Sequence, residues 1–240
     1  MTEAVHRSGN RLRARLWLGK DAIRGEIVGM RAGFTLIEVL VTIAIVAVLA
    51  GVAGGVLSGM VARADSADAL AKIRLMGSAV LHYPADHNGF LPPLFPGQVL
   101  EYEQGRGGRI VTECAPYLGI EERGGKYLVA PLMPRAYARL PEPKDKSALR
   151  VYVMNSALTN NKTIIHPFGQ VTSAGKPPSG NTVLGALAGS EWMMSTGDRK
   201  QPNVATAPWK SNTPTYPPLG HKRAIFHFDG AAELKEVETP

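Results

Sequence analysis

Cysteine is nearly absent. The 240 residues hold one, Cys114, which excludes an intrachain disulfide framework and a multi-cysteine zinc site. Catalytic signatures are missing too: there is no nucleophile elbow, Walker loop or H-E-x-x-H, and Gly105-Arg106-Gly107-Gly108 lacks the Lys-Ser/Thr of a phosphate cradle. With no such motif the chain is read as non-enzymatic, without a cofactor. His82 with His87, and His221 with His227, lack a cysteine or carboxylate cluster at ligand spacing, so no metal site is expected. Acidic residues are scarce at the start. The first 33 residues carry seven basic side chains (Arg7, Arg11, Arg13, Arg15, Lys20, Arg24, Arg31) against Glu3, Asp21 and Glu26, which is +4 of the net +7. The rest is weakly basic, poor support for nucleic-acid binding.

Charge is missing altogether from Phe34 to Ala62, except at Glu38. A helix of that length, at about 1.5 Å per residue, exceeds a hydrocarbon core of roughly 30 Å. The basic flank before it favours a cytoplasmic N-terminus and a C-terminal body on the far side of the membrane. A secretory signal shares the basic-then-apolar pattern, but this run is longer than the usual h-region and offers only a vague small-residue cleavage site near Ala47 to Ala53. A plain anchor accounts for the length and the flanks and leaves Glu38 unexplained. A carboxylate deep in a bilayer costs about 2.5–3.5 kcal/mol on insertion scales, so an acid there is a functional candidate. The alternative is that Glu38 only snorkels to the headgroups near a helix end.

Gly33-Phe34-Thr35-Leu36-Ile37-Glu38-Val39-Leu40, followed by an uninterrupted apolar helix, resembles the type IV prepilin class. The resemblance implies that a prepilin peptidase cleaves after Gly33, that Phe34 becomes the methylated N-terminus, and that Glu38 is the acid at mature position five. That acid could pair with the Phe34 amine of a neighbouring subunit and set register where helices stack, since an unpaired charge in a filament core is heavily penalised.

Beyond Ala62 polar residues enter (Arg63, Asp65, Asp68, Lys72, Arg74), while Leu70, Ile73, Gly77, Val80 and Leu81 recur at three- and four-residue steps. This predicts a helix with one buried stripe, stopped at Pro84 and Asp86-His87-Asn88-Gly89. Leu81 to Pro93 resembles the helix-to-loop junction of pseudopilin-like proteins. Asp86, Asn88 and Gly89 mimic the start of a calcium loop, but the rest of that motif is missing and ordinary turn chemistry suffices. Candidate strands are Tyr127 to Val129, Val151 to Met154, Thr182 to Leu187 and Ala224 to Phe228. Tyr152 to Asn155 looks like the Y-x-M-N strand of these proteins. Pro167 to Gly220 reads as loop. Asp229-Gly230 predicts a two-residue type I′ hairpin. It also resembles the H-x9-DG segment of prepilin-like proteins, although seven residues rather than nine separate His221 from Asp229.

Trp192, Met193, Met194 and Trp209 are expected to pack under loops rather than to form a binding surface. Arg106, Arg109, Arg123, Lys126, Arg135 and Arg139 interleave with Glu101, Glu103, Glu113, Glu121 and Glu122, the pattern of a mixed solvated surface rather than a DNA-facing patch.

The expected fold is α+β, pilin-like: a long N-terminal helix packed in its second half on a small antiparallel sheet with long loops. The expected organisation is a basic leader (1–33), a membrane and filament-core helix (34–62), its continuation on the body (63–85) and a loop-rich β body (86–240). The resemblance implies a structural subunit of a type II secretion pseudopilus or type IV pilus, held in the bacterial inner membrane with its body in the periplasm. The implied partners are prepilin peptidase, other pilin-like subunits, an inner-membrane assembly platform and its ATPase. The competing readings are a membrane-anchored ligand-binding domain that never polymerises, using the 167–220 loops, and a DNA-uptake minor pilin.

Overall fold

The computed structural model describes residues 34–99, 107–120, 122–123, 126–127, 132–141, 148–160, 162–173 and 176–237. The chain divides into two compact units, Met1–Leu49 and Ala50–Pro240. Helix α1 spans Leu36–Asp86. In chain order there follow β1 (Gly97–Val99), α2 (Ile110–Glu113), α3 (Ala115–Leu118), β2 (Glu122–Arg123), β3 (Lys126–Tyr127), α4 (Arg135–Ala138), β4 (Arg150–Met154), β5 (Leu158–Asn160), β6 (Thr163–Ile165), β7 (Trp192–Thr196), α5 (Pro202–Ala205), β8 (Lys222–His227) and β9 (Ala232–Glu236). The main sheet is antiparallel in the order β1-β4-β7-β8-β9, and β2-β3 and β5-β6 form two small ribbons. A long helix with a small antiparallel sheet is the α+β architecture expected of a pilin-like chain.

The second unit takes its core from one stripe of α1. Ala69, Ile73, Met76, Ala79, Val80 and Tyr83 are buried at three- and four-residue steps, against Tyr152, Met154, Met193, Met194 and Phe226 from the sheet. Each large side chain so buried contributes about 1.5–3 kcal/mol. Gly77 lies on the same stripe for a steric reason: a Cβ there would fall 2.3 Å from the Phe226 ring. Polar residues of α1 clamp a second segment. Lys72 Nζ donates to Met133 O at 2.6 Å, Asp68 accepts from the Arg135 backbone N–H at 2.8 Å, and Asp65 pairs with Arg139.

The helix runs two residues past Pro84. It then stops on Asn88 and Gly89, both with positive φ (53° and 82°), and Gly89 N–H returns to Pro84 O at 2.9 Å, the long bond of a Schellman-type cap. Asp86 accepts a hydrogen bond from Tyr117 O–H at 2.5 Å.

Several expectations are corrected. Thr182 to Leu187 is not a strand. Leu184–Ala186 form a 3₁₀ turn, and Val183 makes only an isolated bridge to Phe90. Backbone bonds from Leu91 to Thr182 and from Leu184 to Gly89 tie the segment across the end of α1, so its polar groups are satisfied without a ladder. The stretch read as loop from Pro167 to Gly220 contains β7, the central strand of the main sheet. The hairpin at Asp229-Gly230 has a three-residue loop. His227 N–H bonds Ala231 O at 2.9 Å and Gly230 N–H bonds His227 O at 3.1 Å, with positive φ at Gly230 but not at Asp229. Phe228 lengthens the loop because it is buried and stacks on Phe168, 6.1 Å between centroids.

The strands expected at Val151 to Met154 and Ala224 to Phe228 are seen as β4 and, shifted toward the N-terminus, β8. Of the strand expected at Tyr127 to Val129, Tyr127 belongs to β3, and Leu128 and Val129 lie outside the described residues.

Candidate processing and assembly site

Gly33 lies outside the described residues, so the site begins at Phe34, which is 81% exposed. Thr35 stands at the N-cap of α1 and Glu38 three residues on. Thr35 backbone N–H donates to Glu38 Oε2 at 2.8 Å, Thr35 Oγ1–H donates to the same oxygen at 2.9 Å, and Glu38 N–H donates to Thr35 Oγ1 at 3.3 Å. This is a capping box, in which two otherwise orphaned backbone donors are satisfied reciprocally. The favourable field at a helix N-terminus supports the carboxylate further. Sequence reasoning missed Thr35. Its signal was the T-x-x-E spacing directly before an apolar run.

The capping box changes what Glu38 can do. Its carboxylate has donors on its own chain, so a lone subunit need not carry it bare at the head of an apolar helix. Oε2 holds both Thr35 donors, and a carboxylate has further lone pairs able to accept from a second cation. A neighbour's amine could therefore be added without dismantling the cap.

The helix beyond the cap offers no ordinary surface. Leu36, Ile37, Leu40, Ile43, Ile45, Val46, Val48, Leu49 and Val52 are all more than half exposed. The helix is long and apolar enough to cross a membrane. Isolated apolar residues on a surface need no explanation, but a continuous apolar cylinder requires lipid or other helices around it.

Residues 29–54 match the prokaryotic N-terminal methylation motif. The chain carries a prepilin-type methylation segment. The match supports a type IV prepilin or pseudopilin-like family, with Phe34 and Glu38 inside the matched residues. No curated protein and no solved structure matches the chain.

Outside the matched segment, residues with chemical potential are engaged structurally. His87 Nδ1 meets Tyr83 O at 2.9 Å, with the two rings stacked 3.5 Å apart. His227 Nδ1 meets Ser190 O at 2.9 Å. Among the described residues no three potential ligands gather as a metal centre would require. Arg109 donates to Gly97 O at 2.9 Å and lies over the Phe95 ring, and Arg139 pairs with Asp65; Arg106, Glu101, Glu103 and Glu121 lie outside the described residues. Met193 and Met194 are fully buried, and Trp209 packs beneath the Arg150 guanidinium at 5.1 Å, in line with packing roles. Burial pushes the Cys114 thiol well above its ordinary range, which makes it a poor nucleophile. Two clefts flank the 198–218 segment, of about 280 Å³ beside Trp192, Gln201 and Arg223, and about 250 Å³ beside Leu140, Arg199 and Tyr216. Both fall under the roughly 300–1,000 Å³ of small-molecule sites.

Proposed function

We propose that the chain is a non-enzymatic pilin-like subunit. Prepilin peptidase cleaves it between Gly33 and Phe34, Phe34 is N-methylated, and the subunit waits in the inner membrane with its N-terminus cytoplasmic and its body periplasmic. An assembly platform and its ATPase then move it, with other pilin-like subunits, into a type II secretion pseudopilus or a type IV pilus. The observation that carries this reading is the methylation segment heading a helix whose apolar side chains are exposed all round, with its one acid capped three residues after Thr35. In the filament the Glu38 carboxylate meets the Phe34 amine of a neighbour, and the apolar cylinder exchanges lipid for other helices.

The test is paired, in one strain. Mass spectrometry of the mature protein should find N-methyl-Phe34 as the first residue, and cleavage near Ala53 would instead indicate a secretory signal. Glu38→Leu should leave cleavage and membrane fractionation unchanged while crosslinked polymer collapses, because a neighbour's amine loses its partner in the filament core at about 3–5 kcal/mol per subunit. If Glu38 serves only the membrane boundary, the same change relieves about 2.5–3.5 kcal/mol of carboxylate burial and polymer is undiminished. No polymer from the wild type, with the helix inserted, is the outcome expected of a lone anchor.

A further inference from the structure

A recess of about 720 Å³ lies between α1 and one end of the β8–β9 hairpin. Ala62, Ser66 and Leu70 line its helix side, and Leu219, Lys222 and Leu234 line the other. Arg63 and Lys222 put two cations at the recess. Glu236 opposes them in part, 3.8 Å from Lys222.

The opposite end of the same hairpin is acidic. Asp229 and Glu191 are exposed there, held side by side by the bond from Phe228 N–H to Glu191 O, 3.1 Å. Glu233 follows on β9, 3.4 Å from His227 Nε2, and Arg74 reaches the flank at Ala232 O. The hairpin lies along α1 with β8 running in the helix direction. Lys222 shares the recess with Ser66, Phe226 meets Gly77, and Gly230 approaches Leu81. From Ser66 to Leu81 is about 22 Å along a helix axis. The body thus carries a basic socket and an acidic tip, displaced from each other along the helix.

We propose that the acidic tip of one copy, Asp229 on the Phe228–Gly230 loop with Glu191 beside it just before β7, docks into the Arg63–Lys222 socket of the next copy, head to tail. Charge complementarity selects the occupant, because opposite ends meet favourably whereas like ends repel. Size agrees, since Gly230 and Ala231 present a narrow loop to a floor of Ala62, Ser66 and Ala67. A contact between unlike patches does not close on itself as a two-fold dimer does. It propagates as an open filament when the rotation between copies does not close a ring. The inference rests on the assembly reading above and adds the surfaces by which the bodies engage.

The test co-expresses two full-length chains, one carrying Ser66→Cys in the socket and the other Ala231→Cys on the tip. The buried Cys114 adds no background. A disulfide between the two chains is expected. Glu191→Lys alone, or Arg63→Glu alone, should lower its yield about tenfold, and the two reversals on facing copies should restore it to within about twofold. Circular dichroism of each variant separates loss of docking from loss of fold. Disulfides between two copies of the Ser66→Cys chain, without the mixed species, would overturn the proposal in favour of a two-fold contact. Reversals that shift binding to anionic vesicles and leave the crosslink unchanged would make the socket a lipid site, and would also overturn it. If cysteines in the Val39 to Val56 helix give a ladder while Ser66 and Ala231 do not meet, the docking is wrong and the filament stands. If neither pair crosslinks, the filament reading fails with it.

Discussion

The two ends of α1 obey opposite rules. From Leu36 to Met60 the described apolar side chains are exposed, and the helix has no buried stripe. From Ala69 to Tyr83 one face of the helix, Ala69, Ile73, Met76, Ala79, Val80 and Tyr83, is buried, while Leu75 on another face stays exposed. The first pattern needs a solvent that the chain does not supply. The second is solved by the chain itself, through Phe226, Met194 and Tyr152. A single helix thus serves one part of the protein by being uniformly apolar and the other by being periodic. Damage to one end should leave the other end's behaviour intact, which makes the division testable.

The largest expected effect is on the body and comes from alkali. Burial pushes the Tyr137 and Tyr152 hydroxyls above their ordinary range, while the hydrogen bond to Asp86 holds Tyr117 up to about 12. Below pH about 10 the tyrosines are protonated in both folded and unfolded states, and stability is unaffected by them. Above it the unfolded chain loses protons that the folded chain retains, so stability falls as pH rises from about 10 through 12 and beyond. Urea midpoints should therefore drop steeply across that window. An unchanged midpoint up to pH 11.5 would show that these hydroxyls are not held as described.

Next is Asp198→Ala. Asp198 is fully buried, accepts Arg223 Nε at 2.5 Å and Nη2 at 2.8 Å, and also accepts the Lys200 backbone N–H at 2.8 Å. Removing it strands a largely buried guanidinium, at about 3–5 kcal/mol. The thermal midpoint of the body should fall while cleavage at Gly33 and membrane fractionation persist. Loss of processing in this variant would break the independence of the two ends.

Gly77→Ala should cost less, about 1–3 kcal/mol from overpacking against Phe226, offset by up to about 1 kcal/mol of helix propensity. Phe226→Leu in the same chain should recover part of the loss, because it removes the ring that the new methyl meets. Thermal unfolding of the two single variants and the double gives the coupling. Strict additivity would mean that the contact at Gly77 does not govern this packing.

What was legible in the sequence follows the same division. The long helix, its stripe and its stop could be read because each rests on local chemistry: period, polar punctuation, and Asn-Gly at positive φ. Strands β4 and β8 were visible from β-branched and aromatic residues at Val151 to Val153 and Ile225 to Phe228. The central strand β7 was not, because Trp-Met-Met-Ser-Thr has a weak pattern and becomes a strand only between β4 and β8, partners distant in sequence. The hairpin loop was misjudged by one residue because Phe228 is drawn onto Phe168, a contact no turn rule contains. At the candidate site the ordered octapeptide is what puts Phe34 and Glu38 forward, and their roles are the ones proposed above. Thr35 carries the T-x-x-E spacing of a capping box, a signal local to its own helix and independent of any partner for Glu38.

Thr35→Ala is the smallest expected effect and tests that dual role. The substitution removes the hydroxyl that accepts from Glu38 N–H and donates to Oε2, and it leaves the backbone N–H of residue 35 able to reach the carboxylate. Loss of an N-cap side chain costs about 1 kcal/mol. The cost should fall at the start of α1, with the thermal midpoint of the body unchanged, and Thr35→Ser should restore it because serine keeps the donor and acceptor. If Glu38 acts in the filament only through a neighbour's amine, Thr35→Ala should leave polymer yield near wild type. If the cap also aims the carboxylate, polymer should fall about fivefold, in keeping with roughly 1 kcal/mol, and recover in Thr35→Ser. Crosslinked polymer from wild type, Thr35→Ala, Thr35→Ser and Glu38→Leu, normalised to mature protein in the membrane, places Thr35 on one side or the other. A loss as deep as that of Glu38→Leu would exceed what a cap can supply, and would make the hydroxyl itself part of the contact between subunits.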